Sequence, residues 1–247
     1  MWIKYPPCFS GEGIREMTDV ERITAEEAAS FFRPRAKGNA KLIENAMDQI
    51  LSARCIFDIG ANSGFFSKTL LEAGYRNQIV LFEPVPNLMS IAVRTLARFN
   101  NEKIFVNAAL GEASGEIDIF LPENGNIGWI TAVAEKANHQ KPVKVALAAT
   151  VPFVKRYEPD FIKIDVEGFE SFILRPVQTL IGSGYRPSFL VEIGWGNKNP
   201  HWSGFLRIAE RFDQLDYDFF APDGAVLAQS DICGIDSTCD VLIKPRT

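Results

Sequence analysis

The chain has 247 residues, 47% of them hydrophobic and 23% charged, with 26 basic against 31 acidic side chains and a formal net charge of -5. That composition supplies a sizeable core and excludes disorder as the main state, and the length fits one large domain or one domain with an extension. No basic patch stands out, which argues against nucleic acid or an anionic membrane as the main partner.

The opening MWIKYPPCFSGEG lacks an apolar h-region and a small-residue cleavage site, so no signal peptide is expected. No stretch approaches the roughly 18 apolar residues of a membrane-spanning helix, and a cytoplasmic, reduced protein is expected. The cysteines Cys8, Cys55, Cys233 and Cys239 are scattered. Cys233 and Cys239 could pair, but their spacing fits neither a CxxC redox motif nor a zinc knuckle. Cys55, inside an apolar run, reads as a buried structural thiol.

Residues 1–53 are helical in character. Thr24 with Glu27 fits a capping box opening a helix from Thr24 to Phe32, and Pro34 marks its end. From Asn39 to Leu51, Leu42, Ala46, Met47 and Ile50 share one helical face. The segment is expected to be a small cap preceding the main fold, which occupies 54–247.

Short apolar strands then alternate with amphipathic helices. Strands are expected at Cys55 to Ile59, Gln78 to Glu83, Lys103 to Asn107, Phe161 to Asp165 and Ser188 to Ile193. Helices are expected at Gly64 to Ala73, Pro86 to Phe99, Glu170 to Ile181 and Ser203 to Leu215, with Gly74 and Gly182 where helix C-terminal glycines belong. This alternation implies an α/β fold with a mostly parallel sheet covered on both faces. Asp218 to Ala221 and Cys239 to Ile243 suit a closing antiparallel pair at one sheet edge, with a turn at Pro222-Asp223-Gly224. One segment breaks the rhythm. Glu116 to Leu121 alternates like a strand, and the polar stretch from Pro122 to Pro142 reads as a lid or binding loop.

The strongest local signal is Phe57-Asp58-Ile59-Gly60-Ala61-Asn62-Ser63-Gly64. A buried strand ends at an acid, and a glycine-rich turn opens a helix, the place where open α/β sheets bind ligands. The pattern is D-x-G-x-N-x-G, not G-x-G-x-x-G; Asp58 is badly placed beside a pyrophosphate and well placed to pair with a cation. A plain tight turn is the alternative. Leu81-Phe82-Glu83-Pro84 ends the next strand with an acid that can accept both hydroxyls of a ribose, although a solvated strand-end residue would look the same. In Ile162-Lys163-Ile164-Asp165-Val166-Glu167-Gly168-Phe169-Glu170, three acids crowd a strand end and a helix start. Glu167 and Glu170 have a capping explanation; Asp165 points to the crevice. Glu192 ends the neighbouring strand, and two such acids could bind a divalent cation or orient a hydroxyl for deprotonation.

These motifs, in this order, resemble the FkbM family of S-adenosylmethionine-dependent methyltransferases, over roughly Phe57 to Ile193. The glycine-rich element is similar to that of class I methyltransferases in general. The Ile162 to Glu170 run, Val191-Glu192-Ile193 after Pro187, and Val106-Asn107-Ala108-Ala109-Leu110-Gly111 followed by Gly115-Glu116-Ile117 resemble FkbM members specifically. The resemblance implies a class I, Rossmann-like fold: a seven-stranded sheet with its last strand antiparallel. It also implies that Asp58, Gly60, Asn62 and Gly64 surround the methionine end of the cofactor, Glu83 its ribose, and Asn107 with Ala108 its adenine. The family includes enzymes that O-methylate hydroxyls of sugars, macrolides and other natural products. Members often carry a histidine soon after the acid of the fifth strand; here Gly194-Trp195-Gly196 follows, and His201 is the candidate to replace it, with a free loop histidine as the alternative. His139 is a weaker one.

Methyl transfer to a hydroxyl requires in-line alignment and removal of the hydroxyl proton. Asp165, Glu192 and His201 are the candidates for that removal, in that order, with magnesium held by strand-end acids as another means. Trp129, Trp195 and Trp202 offer flat faces for a small-molecule acceptor, expected to be a sugar or a glycosylated or polyketide-type metabolite. The alternatives are a nicotinamide-dependent oxidoreductase, in which Glu83 holds an NAD ribose, and a catalytically silent cofactor-binding module.

Overall fold

The computed structural model describes residues 2–3, 45–121, 129–137 and 142–246. The expected Thr24 to Phe32 helix, Cys8, His139 and most of the polar loop lie outside the described residues.

A nine-stranded sheet carries the fold. Its strands are β1 (Trp2–Ile3), β2 (Cys55–Ile59), β3 (Gln78–Phe82), β4 (Lys103–Val106), β8 (Phe161–Ile164), β9 (Ser188–Ile193), β10 (Tyr217–Phe220), β11 (Val226–Leu227) and β12 (Cys239–Pro245). The spatial order is β1-β4-β3-β2-β8-β9-β12-β10-β11. The expected seven strands form its body, β12 running antiparallel to both neighbours, and β1 and β11 add two residues at either edge. The pair expected at the sheet edge is there, with β12 inside it, between β9 and β10. A second, three-stranded sheet unites β5 (Ala109–Gly111), β6 (Gly115–Phe120) and β7 (Pro142–Ala149) in the order β5-β7-β6. The expected polar stretch ends where β7 begins, at Pro142.

The helices are α1 (45–52), α2 (Phe65–Glu72), α3 (Pro86–Leu96), α4 (Thr150–Tyr157), α5 (Glu170–Ile181), α6 (Trp202–Gln214) and α7 (Gln229–Cys233). Gly74 takes the left-handed conformation (φ 108) after α2, whereas after α5 that role falls to Gly184 (φ 102), Gly182 remaining helical at φ -59. Strand residues alternate between two buried clusters. Phe57, Val80, Ile162 and Val191 meet α4, α5 and α6 on one face; Ile56, Ile79, Phe161, Leu190 and Leu242 meet α1 and α2 on the other. Ala46 and Ile50 of α1 are fully buried in that second cluster, so the end of the N-terminal segment shares the core of the sheet. Cys55 is buried, and desolvation pushes its thiol up to about 12. Cys233 and Cys239 are free thiols.

Apolar residues fill both faces until the carboxyl ends of the central strands. There the α1–α2 face changes character. By alternation, Asp58, Lys163, Asp165, Glu192 and Asp240 follow Ile56, Phe161, Leu190 and Leu242 along that face. The site is built where the apolar surface gives way to charge.

Candidate active site

Three left-handed residues, Gly60 (φ 73), Asn62 (φ 51) and Gly64 (φ 78), fold the turn after β2. Gly60 is required there: a Cβ would lie 1.8 Å from the backbone oxygen of Asp165. The N–H groups of Gly60 and Ala61 both donate to the Phe82 carbonyl at 3.0 Å, and Ser63 N–H donates to Asn62 Oδ1 at 2.8 Å. Asn62 N–H donates to Glu83 Oε2 at 2.9 Å, while Val85 N–H donates to Glu83 Oε1 at 2.8 Å. Burial pushes the Glu83 carboxyl up to about 7 against the pull of those two bonds. Asn107 Nδ2 donates to the carbonyls of Glu83 (2.8 Å) and Pro84 (3.1 Å), and Ala108 is fully buried with its N–H on the Val106 carbonyl at 3.0 Å. Asn62, Gly64, Glu83 and Asn107 thus stand around the adjoining ends of β2, β3 and β4.

Beneath the turn, Asp58 is fully buried. Its Oδ2 accepts from Ser67 Oγ at 2.6 Å, and its Oδ1 lies 3.4 Å from Lys163 Nζ. The same ammonium lies 3.1 Å from Asp165 Oδ2 and donates to the Gly60 carbonyl at 2.8 Å. Burial alone would lower the Lys163 pKa, but Asp165 and Asp58 outweigh it and hold the ammonium above its ordinary range.

Beyond β8 the chain turns through Glu167 (φ 49) and Gly168 (φ 94) into α5. One carboxylate oxygen each from Asp165, Glu167 and Glu192 lie within 4.8 Å of one another, so Asp165 and Glu192 do converge. Burial, then Asp165 and Glu192, push Glu167 up to about 10; Asp165, then burial, push Glu192 up to about 9. Asp240 faces Glu192 across the β9–β12 pair and is raised to about 7, mainly by burial. Glu170 is also raised to about 7 by burial while accepting from Gly168 N–H at 2.7 Å. Asp165, Glu167 and Glu192 are the described residues that could hold a divalent cation.

The acid turn is locked from two sides. Thr131 Oγ1 donates to the Glu167 carbonyl at 2.6 Å, and Asn199 Nδ2 donates to the carbonyls of Gly168 (3.0 Å) and Gly194 (3.1 Å). His201 precedes α6, with its ring edge-on to Phe172 at 4.9 Å between centroids. Among the described residues, no hydrogen bond or ion pair links it to Asp165 or Glu192. Trp129 is 55% exposed. Trp195 rests against Gly168, with Lys136 Nζ 5.3 Å from its ring centroid. Trp202 is half-buried and stacks on Phe205 at 5.3 Å, a core contact. Sequence reasoning missed Lys163, Asp240 and Asn199. Only Lys163 carried a local signal, as the lone charge inside the buried strand FIKI.

A model of the FkbM methyltransferase domain matches residues 58–219. The chain belongs to the FkbM methyltransferase family. It is an S-adenosylmethionine-dependent enzyme, and the nicotinamide-dependent alternative falls with that membership. No curated protein matches the chain. Among solved structures, the O-methyltransferase TomG from Streptomyces achromogenes, involved in tomaymycin synthesis and bound to SAM, superposes with a TM-score of 0.50 at 13% identity, over 95% of this chain and 92% of that one. An O-methyltransferase from Bacillus cereus in complex with SAH gives a TM-score of 0.44 at 14% identity, over 93% and 91%. At 13% identity the likeness to TomG is one of fold.

The donor set of this FkbM chain suits the cofactor. Each Glu83 oxygen accepts one backbone N–H and keeps further acceptor capacity, which a ribose diol can use. No helix among the described residues is long and apolar enough to cross a membrane.

Proposed function

We propose that this enzyme methylates a hydroxyl of a small acceptor, a sugar or a glycosylated or polyketide-type metabolite, with Asp165 and Glu192 managing the hydroxyl proton. The observation that carries the reading is the convergence of Asp165, Glu167 and Glu192 within 4.8 Å at the carboxyl end of the sheet. Crowding makes Glu167 and Glu192 hold protons more tightly than isolated carboxylates, which brings the basicity of Glu192 nearer to what a hydroxyl demands. When bound, the cofactor supplies a methyl group activated by its sulfonium. Glu83 accepts from the ribose hydroxyls, Asn107 and Ala108 border the adenine, and Gly60, Asn62 and Gly64 shape the turn facing the methionine end, with Asp58 supporting it from below. Asp165 and Glu192 receive the acceptor proton at a carboxylate oxygen, and His201 is the further base to be tested. Trp129 and Trp195 provide faces on which a sugar ring can stack.

The acids also suit magnesium, because three carboxylate oxygens at this spacing are hard-cation ligands. The test is methyl transfer from S-adenosylmethionine to panels of sugars, hydroxylated natural products, amines and carboxylic acids, read by mass spectrometry with magnesium or EDTA present. We expect hydroxyl products only. Asp165→Asn and Glu192→Gln should each lower kcat by about 100-fold or more, and S-adenosylhomocysteine binding should stay within about threefold in Glu192→Gln. Methylation of amines alone, or unchanged turnover in both variants, overturns the reading. Turnover abolished by EDTA and restored by magnesium assigns the acids to a cation.

A further inference from the structure

Lys163 stands between the cofactor turn and the acid turn without belonging to either. Its side chain is 9% exposed; the ammonium donates to the Gly60 carbonyl at 2.8 Å and more weakly to the Ile59 carbonyl at 3.5 Å, and it is ion-paired with Asp165 Oδ2 at 3.1 Å and Asp58 Oδ1 at 3.4 Å. The two turns also touch directly, since Asp165 N–H donates to the Ile59 carbonyl at 3.1 Å and a Cβ on Gly60 would strike the Asp165 oxygen. Nothing else among the described residues binds the Gly60 carbonyl. Gly60, with a left-handed φ, has its orientation set by one hydrogen bond at each end: its N–H donates to the Phe82 carbonyl and its own carbonyl accepts from Lys163.

We propose that Lys163 is a positioning residue for the cofactor: its ammonium, anchored by Asp58 and Asp165, fixes the Gly60 turn in its binding conformation. Asp58 then acts through Lys163, which explains why a carboxylate at the head of the glycine motif is wholly buried and faces Ser67 and a lysine. The opposing account is that Lys163 only neutralises Asp58. The two differ in what happens when Asp58 carries no charge. A neutraliser becomes superfluous there; a clamp on Gly60 does not.

The experiment is calorimetric titration of the full chain with S-adenosylhomocysteine, with unfolding midpoints measured in parallel, for the wild type, Lys163→Met, Asp58→Asn and the double variant. No acceptor takes part, so the outcome is independent of the hydroxyl reading above. Lys163→Met should weaken binding about tenfold or more, the scale of one lost charge-assisted hydrogen bond, and the same loss should separate the double variant from Asp58→Asn. Should Lys163→Met fail to fold, the double variant, which buries no unpaired charge, makes the comparison. Equal affinity of the double variant and Asp58→Asn overturns the proposal. If Asp58→Asn alone abolishes binding, Lys163→Arg decides: recovered affinity supports the clamp, and a loss equal to that of Met overturns it.

Discussion

Glu83 shows how much a single side chain can be asked to do. Its carboxylate closes the turn between β3 and α3 through Val85 and reaches across to the β2 turn through Asn62. It is only 4% exposed, so neither bond can be replaced by water without opening the site. Glu83→Gln keeps the shape but turns one acceptor into an N–H donor facing a backbone N–H. The expected cost is about 1–3 kcal/mol of stability, the desolvation penalty of an unmatched buried donor, together with weaker cofactor binding. Chemical denaturation and titration with S-adenosylhomocysteine measure the two losses; a variant as stable as the wild type would show that the bonds to Asn62 and Val85 are dispensable.

Among the elements, the decisive contact is between two turns. Gly168 and Gly194 approach so closely that a Cβ on Gly194 would lie 2.5 Å from Gly168 N, and Asn199 donates to both carbonyls. Asn199 is buried, and its Oδ1 also accepts from His201 N–H at 2.9 Å, so one amide sets the spacing of the acids after β8 and β9 and the start of α6. Asn199→Ala should lower the unfolding free energy by about 2 kcal/mol, since two buried carbonyls lose their donor. It should also reduce kcat more than cofactor affinity, as the glycine turn proposed to hold the cofactor follows β2. An equal loss in both would place Asn199 outside the acid geometry. Such a contact was not legible in the sequence. What was legible is local: β2 and β9 and helix α5 match their expected bounds because apolar runs, capping acids and glycines mark them within a few residues. Helix α4 has no counterpart among the expected elements; its Pro152 stands in the first turn, where a helix tolerates proline. Strands β5, β7 and β1 depend on partners far away in the chain, and the placement of β12 beside β9, which brings Asp240 opposite Glu192, is of the same kind. Motif residues were found; the residues that hold them at distance were not.

At the scale of the whole molecule, acids gather on one end of one sheet face. Glu83, Glu170 and Asp240 are raised to about 7, Glu192 to about 9 and Glu167 to about 10. Each folded value exceeds the unfolded one, so between about pH 4.5 and these values the folded chain holds protons that the unfolded chain has released. Their contribution to stability is therefore complete at the acid end of that window and is lost as pH rises. Lys163 adds no slope there, because a raised lysine keeps its contribution until strongly alkaline pH. A fully linked group contributes about 1.4 kcal/mol per pH unit, and the partial exposure of Glu192 and Asp240 reduces theirs. The ligand-free protein should thus melt at a temperature that falls from pH 5.5 to pH 9, and Glu192→Gln should flatten the part above pH 7, as the removal of one charge also relieves Glu167 and Asp240. Calorimetric scans across that range are the check; a melting temperature that rises steadily to pH 9 would show the acids ionised without strain. A fold that crowds unneutralised carboxylates sacrifices stability at the alkaline end. The same crowding raises Glu192, so the pH at which the fold begins to weaken and the pH at which Glu192 ionises and can serve as the proposed base are set by the same repulsion.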